Sequence, residues 1–379
     1  MIGCRLGPLG VDRHDGEPEE VTMDPRLRDL VDDFRHGYLT RRGLIAKAAT
    51  LGISAASLTA LTREVAAQST PEPAATPAGV PADSPAAVIG NALASGDWEV
   101  VDLSLTTAPD YPVSWPDQPQ FQVMPLLWFR GSQTPYGTPL VREGIADVTA
   151  YQITEHTGTQ IDFPPHFLPP PGIDVEGAAG SELGLKTGDT FALSAFMGAA
   201  VVVDARSLLE TNTVNGESAH ITRAWLEQWE AQHGEFQPGD VPIWYSRYSD
   251  MYFQPFPNGD RFQDRMLWAP LVDKSAPGWA AADPDAMDLL NERGVVHVVT
   301  DGPSFGWTEG GQATHVAGLQ YGMTWTEGAI NVGSLPLRGS FYIFAPYKVQ
   351  GQAAGIGRAF AVKPSGVEGI EATPPFAVE

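Results

Sequence analysis

Two short apolar runs, Gly198–Asp204 (GAAVVVD) and Gly294–Thr300 (GVVHVVT), do most to limit how this chain folds. Apolar runs this short are the pattern of strands buried in a sheet. Trp98–Leu105 reads as an opening strand, Val241–Tyr245 as another, and Phe341–Phe344 as a final strong one. Thr222 is placed to cap a helix that runs through Gln232 and ends at Gly234. A second helix begins at Asp283 or Asp285 and runs to Arg293, closed by Gly294. Between them lies an aromatic loop, Tyr248–Phe256. Strands broken by only a few helices and by many Pro and Gly loops predict a β-rich α/β domain.

That domain is expected over residues 96–362, with a C-terminal tail over 363–379. Residues 1–67 read as a leader and export signal. Thr40-Arg41-Arg42-Gly43-Leu44-Ile45 precedes a mildly apolar stretch, Ala46–Leu61, and the small residues Val65-Ala66-Ala67. This order resembles a twin-arginine signal, which places the mature protein in the periplasm or outside the cell. Initiation at Met23 would give such a signal a more usual length. The stretch carries Lys47, Thr50, Ser54, Ser57 and Thr59, so it is a poor permanent span, and no stable membrane anchor is expected. Residues 68–95, rich in Pro and Ala, read as a linker.

A net charge of -23 argues against nucleic acid as a partner and leaves a small-molecule substrate. The one cysteine, Cys4, lies in the leader. A mature chain without thiols has no disulfide, no zinc–thiolate site and no cysteine nucleophile, so any metal must be held by nitrogen and oxygen.

Chemistry concentrates in His156-Thr-Gly-Thr-Gln-Ile-Asp-Phe-Pro-Pro-His166. Gly158 and Pro164-Pro165 oppose a helix. In an extended chain alternate side chains share a face, so His156, Gln160, Asp162 and His166 would converge. Two imidazoles, an amide and a carboxylate together suit Mn²⁺ or Zn²⁺, and such an ion could activate water and polarise a carbonyl. A polar surface loop with solvated histidines is the competing reading of the same spacing.

The segment resembles the H-x-G-T-H-x-D-x-P-x-H signature of the cyclase-like metal hydrolases, the family of bacterial kynurenine formamidase and isatin hydrolase. His156, Gly158, Thr159, Asp162, Pro164 and His166 match it, and Gln160 stands where the family has a second His. His315 and Glu327, twelve residues apart, repeat a second family spacing. Weaker matches follow in order: Val101-Asp102-Leu103-Ser104, with Leu105 in place of the usual His, then Gly239-Asp240-Val241, then Asp301-Gly302-Pro303-Ser304.

The resemblance covers about Trp98 to Val362 and implies a swivelling β/β/α fold with one or two divalent metals. It implies His156, Gln160 and Asp162 as ligands, with Asp162, His315 and Glu327 completing or holding a second position. It gives His166 the proton shuttle, and counts Glu327 with it as catalytic. The implied reaction is attack of metal-activated water on an amide, formamide or lactam, and the implied assembly is a homo-oligomer, dimer or tetramer. The amide of Gln160 is a weaker, neutral ligand that favours a harder ion such as Mn²⁺, or leaves a mononuclear site. Two alternatives stay open: an exported binding protein with a degenerate site, and a lactone or ester hydrolase on the same scaffold.

Four further readings complete the sequence. His297, inside an apolar run, is expected to be a satisfied core or supporting residue, and His220 and His233 to be exposed beside a helix. Trp244, Tyr245, Tyr248, Tyr252, Phe253 and Phe256 either line a substrate pocket or pack the core. Ser304 lacks the G-x-S-x-G elbow of a nucleophile.

Overall fold

The computed structural model describes residue 47, residues 85–129 and residues 142–377. The export signal predicted over 1–67, apart from Lys47, and residues 68–84 of the linker lie outside the described residues. The rest of that segment forms a helix, α1 (Pro85–Ser95). Its sequence, PAAVIGNALAS, is rich in good helix formers behind a proline at the first position, where the missing N–H costs nothing.

In chain order the strands are β1 (Trp98–Asp102), β2 (Gln122–Phe129), β3 (Glu143–Gly144), β4 (Val148–Gln152), β5 (Gln160–Asp162) and β6 (Met197–Asp204). They continue as β7 (Ala219–Ile221), β8 (Asp240–Tyr245), β9 (Ala280–Ala282), β10 (His297–Thr300), β11 (Thr324–Glu327), β12 (Ser340–Pro346) and β13 (Ala354–Pro364). The remaining helices are α2 (Arg206–Thr211), α3 (Arg223–His233), α4 (Tyr248–Tyr252), α5 (Trp268–Leu271), α6 (Pro284–Glu292) and α7 (Gln312–Leu319).

The main sheet runs β1-β13-β12-β6-β8-β10-β11-β5, and a further pairing of β5 with β13 closes it on itself. Seven strands thus form a barrel-like ring, with β1 added beside β13. The expected α/β, strand-rich class with few helices is what the chain adopts over residues 89–129 and 142–377. β6, β8, β10 and β11 are mutually parallel, and the apolar runs of β6 and β10 suit strands covered on both faces.

Alternation sorts each strand between two cores. Val202, Ile243, Val299, Tyr342, Phe344 and Ala359 fill the inside of the ring. Val201, Val203, Trp244, Val298 and Trp325 point outward, against Leu226 and Trp229 of α3, Met287 and Leu290 of α6, and Leu319 of α7. The α3 helix begins as its sequence indicates: Thr222 Oγ1 accepts the Trp225 N–H at 3.1 Å, and Gly234 takes a positive φ of 89° beyond its end.

Three boundaries differ from the sequence reading. The run Phe341–Phe344 is not the final strand, because β13 follows it. The tail expected from residue 363 begins inside β13 and then packs back: the buried Arg206 donates to the carbonyls of Ile370, Glu371 and Thr373, and Phe376 is buried in the outer core. The segment Tyr248–Phe256 opens with α4 rather than a loop. Among the described residues no helix is long and apolar enough to cross a membrane.

The start of β5 is fastened by one hydroxyl. Thr159 Oγ1 donates to Gly328 O at 2.7 Å and accepts from Leu105 N at 2.8 Å, tying β5 to the end of β11 and to the segment after β1. Thr159→Val leaves both backbone groups unpaired in the interior, at about 1–3 kcal/mol each. Urea unfolding is expected to show a loss of about 2 kcal/mol or more; an unchanged midpoint would mean that the bonds do not hold this junction.

Candidate metal centre

The centre is laid out by the register of β5 on β11. Gln160 lies directly opposite Glu327, and Asp162 opposite Trp325. Residues facing one another across an antiparallel pair are close enough to bond, and both pairs do. Gln160 Nε2 donates to Glu327 Oε2 in a short bond, and Trp325 Nε1 donates to Asp162 Oδ2 at 3.1 Å. Ile161 between them turns into the ring, so Gln160, Asp162 and Glu327 face outward with Trp325, toward α7.

His156 and His166 reach this face by two turns. The strand covers only Gln160–Asp162, so the expected extended path from His156 to His166 holds for its middle alone. Gly158, at φ 65°, turns the chain into β5, and its N–H donates to Val113 O at 2.8 Å. Pro164–His166 forms a 3₁₀ turn, with proline in its first turn where φ is already set. The side chains nevertheless converge. His156 Nδ1 is 3.3 Å from Asp162 Oδ1 and 3.2 Å from Gln160 Oε1, and His166 Nε2 is 3.7 Å from Asp162 Oδ2.

The distant pair arrives from α7 and β11. His315 Nδ1 donates to Gly311 O at 2.7 Å, one turn back, which leaves Nε2 aimed at Asp162 Oδ2 (3.5 Å) and Glu327 Oε1 (3.4 Å). Glu327 Oε1 also accepts the Phe305 N–H at 2.6 Å. Two sets of ligand atoms result, each within 4.8 Å of one another: His156, Asp162 and His166; and Asp162, His315 and Glu327. Asp162 belongs to both.

The electrostatics are those of crowded buried charge. Burial lowers the His156 and His315 pKa values, but Asp162, joined at His315 by Glu327, more than reverses this, to about 9 and about 10. Burial dominates at His166 and pushes it down to about 4. Asp162, despite its burial, is held well below the usual carboxylate range by His166, His156 and His315. Burial and then the nearby Asp162 raise Glu327.

The donor set suits a divalent cation. It is made of imidazole and carboxylate alone, and Asp162 Oδ1, fully buried, makes no hydrogen bond. A buried carboxylate oxygen needs a positive partner, which the charged ring of His156 supplies at 3.3 Å here and a bound cation could supply in its place. The group opens into a cavity of about 290 Å³ walled by Trp115, Phe167, Trp279 and Trp307, with Ser304 and Gln312 also lining it.

All the predicted site residues, His156, Gln160, Asp162, His166, His315 and Glu327, therefore meet in one place. His297 does not join them. It lies inside the ring, its nitrogens 2.8 and 3.2 Å from the hydroxyls of Thr324 and Thr326, and burial pushes its pKa down to about 3. The aromatic cluster resolves toward packing: Trp244, Tyr245, Tyr248 and Phe253 are buried in the cores, and none of the six lines this cavity. The tryptophans that do were unmarked in sequence, because no local pattern separates an indole facing a cavity from one in a core. His220 and His233 are half-buried rather than exposed; His233 stacks on Trp229 at 4.7 Å. Asp301 is structural. It accepts from Ser246 N, Ser246 Oγ and Tyr248 N, and burial pushes it up to about 7.

A family model named Cyclase matches residues 101–306. Solved structures with a similar fold include an isatin hydrolase bound to the product analogue thioisatinate (20% identity, TM-score 0.56, 76% of this chain and 100% of that one). They also include isatin hydrolase A from Labrenzia aggregata bound to benzyl benzoate (21%, 0.56, 74% and 100%) and isatin hydrolase A from Ralstonia solanacearum (23%, 0.55, 75% and 98%). No curated protein matches the chain.

His156 and His315 carry raised pKa values, so without a cation their protonated forms stabilise the fold fully below about 6.5, and this contribution is lost as pH rises through 9 and 10. Both must lose a proton to coordinate. Adding Mn²⁺ to chelator-treated protein at pH 7 is expected to release about one to two protons per ion. Calorimetry in buffers of different ionisation enthalpy reads this directly, and no release at pH 7 would refute the charged state of these rings.

Proposed function

The chain belongs to the Cyclase family, and from that premise we propose that it is a metal-dependent hydrolase cleaving the C–N bond of an amide, formamide or lactam. One observation carries the reading: two ligand sets share the buried, under-bonded Asp162 at a cavity that an uncharged imidazole, His166, also lines. A divalent cation bound here supplies Lewis acidity to a carbonyl and lowers the pKa of water.

The protein's own groups supply the rest. Asp162, His315 and Glu327 would hold the ion, with His315 kept in one tautomer by Gly311 O and Glu327 oriented by the Phe305 N–H. His166 is neutral near pH 7 and lines the cavity, so its Nε2 can take a proton from water and return it to the departing nitrogen. Gln160 serves as a bridge rather than a ligand. Its amide nitrogen is spent on Glu327 Oε2 and its oxygen faces His156 Nδ1, which fits one ion on the Asp162–His315–Glu327 set. The indoles of Trp279 and Trp307 donate to Gly306 O and Ala282 O, so both rings are fixed as walls. Rigid aromatic walls suit a flat ring fused or attached to the scissile carbonyl.

Metal analysis joined to a substrate panel tests this. Protein grown with metal is expected to hold about one Mn²⁺ or Zn²⁺ per chain and to hydrolyse members of a set of formanilides, isatin and simple lactams, with turnover abolished by a chelator. His166→Ala should cut kcat by about 10²–10⁴-fold with metal content intact. Metal lost along with His166 would move that residue into the ligand set. Gln160→His should raise the metal content toward two ions, and an unchanged content would remove the bridge assignment. Protein that binds no divalent ion under replete conditions would end the hydrolase reading.

A further inference from the structure

A second charged cluster stands behind the cavity wall. His220, on β7, places Nδ1 2.7 Å from Asp283 Oδ1, at the head of α6, and Nε2 2.7 Å from Glu309 Oε1. Carboxylates only accept, so two such bonds require both ring nitrogens to donate, and the ring is an imidazolium. Its face lies against Trp307, with centroids 4.6 Å apart. Around it stand Asp283 and Asp285 from α6, Glu309 from the loop, and Arg223 at the head of α3. The Arg223 guanidinium is already held by Glu227 and Glu292.

The loop that Glu309 belongs to, residues 304–312, touches the metal centre at two points and the cavity at several. Phe305 N binds Glu327, Gly306 O receives Trp279, Trp307 is a wall, and Gly311 O fixes His315. The loop folds tightly on itself: a Cβ on Gly306 would meet Gly311 Cα at 2.4 Å. A displacement at Glu309 therefore reaches both ends. The apex is tied on the side away from the metal, with Lys274 Nζ donating to Thr308 O at 3.4 Å. Glu309 is held by His220 and by Ser218 N at 3.0 Å, and Thr308 by Ser218 Oγ and Gly216 O.

We infer that His220 is a positioning residue: as a cation bridging Asp283 and Glu309, it pins the 304–312 loop so that the cavity wall, Glu327 and His315 keep their geometry. The ring touches neither substrate nor metal. A neutral imidazole donates from one nitrogen only, so alkaline pH frees one carboxylate and loosens the loop. The effect on metal affinity rests on the metal-centre reading above; the pinning of the loop does not.

Hydrogen exchange followed by mass spectrometry on the full chain separates the two. In His220→Phe, which keeps a ring against Trp307 but no donor, peptides covering 304–312 should exchange at least tenfold faster, while β6 is unchanged. His220→Arg, which restores a cation with several donors, should recover most of the protection. In the wild type the protection, corrected for intrinsic rates, should fall with a midpoint above the ordinary histidine value of 6.5, the direction in which the two carboxylates move His220 against the opposing effect of burial. The Arg variant should show no such step. Mn²⁺ affinity read from the free-ion paramagnetic resonance signal should fall about tenfold in His220→Phe. Unchanged exchange in 304–312, or equal acceleration in β6, would overturn the inference. A wild type that binds no Mn²⁺ would instead sink the metal reading, with the exchange data still deciding the clamp.

Discussion

A single carboxylate sets the terms for this structure. Asp162 is fully buried, yet the imidazoles of His156, His166 and His315, together with the Trp325 indole, are drawn around it from four different places in the chain. Removing an ionised carboxylate from water is tolerable only when charge and donors are supplied in return. The fold supplies them. The β5–β11 register brings Trp325, α7 brings His315, and the turns at Gly158 and Pro164 bring the other two rings. Oδ1 makes no hydrogen bond and faces the charged ring of His156 at 3.3 Å, a place that a bound cation could take instead.

Burial of this charge also explains why the surroundings are so firmly tied. Two members of the metal set are held by backbone groups outside it, His315 by Gly311 O and Glu327 by Phe305 N, and Gln160 ties Glu327 across the strands. Trp279 and Trp307, which wall the cavity, are tied to backbone carbonyls in the same loop and in β9. Orientation of ligands by such outer partners governs metal affinity nearly as strongly as the ligands themselves.

Much of this was legible from local chemistry. The cap of α3 at Thr222, the stop at Gly234 and the apolar strands β6 and β8 rest on neighbours within a few residues, and they stand where the sequence puts them. The convergence of His156, Gln160, Asp162 and His166 was also legible, although the path was not, because Pro164-Pro165 makes a 3₁₀ turn instead of extending the strand. What local pattern does not carry is pairing. The glycine-containing start of β13 is a strand because β5 and β12 bond to it. Gln160 is a bridge because the register sets it opposite Glu327. The cavity tryptophans are walls because separate loops meet, and His220 is charged because Asp283 and Glu309 come from segments far from it in sequence.

The closing pair of the ring bears on how the molecule is made. β13 lends one edge to both β5 and β1, so the strand that carries Asp162 has no partner on that side until the last part of the chain has been synthesised. Until then β5 is an open edge with half its hydrogen bonds unmade, and its carboxylate lacks the shelter that makes it useful. Contacts this distant in sequence also slow folding, since long loops must close before any bond rewards them. A nascent or truncated chain should therefore be unable to hold the centre at all, and competence would appear in one late step, with the arrival of the C-terminal strand.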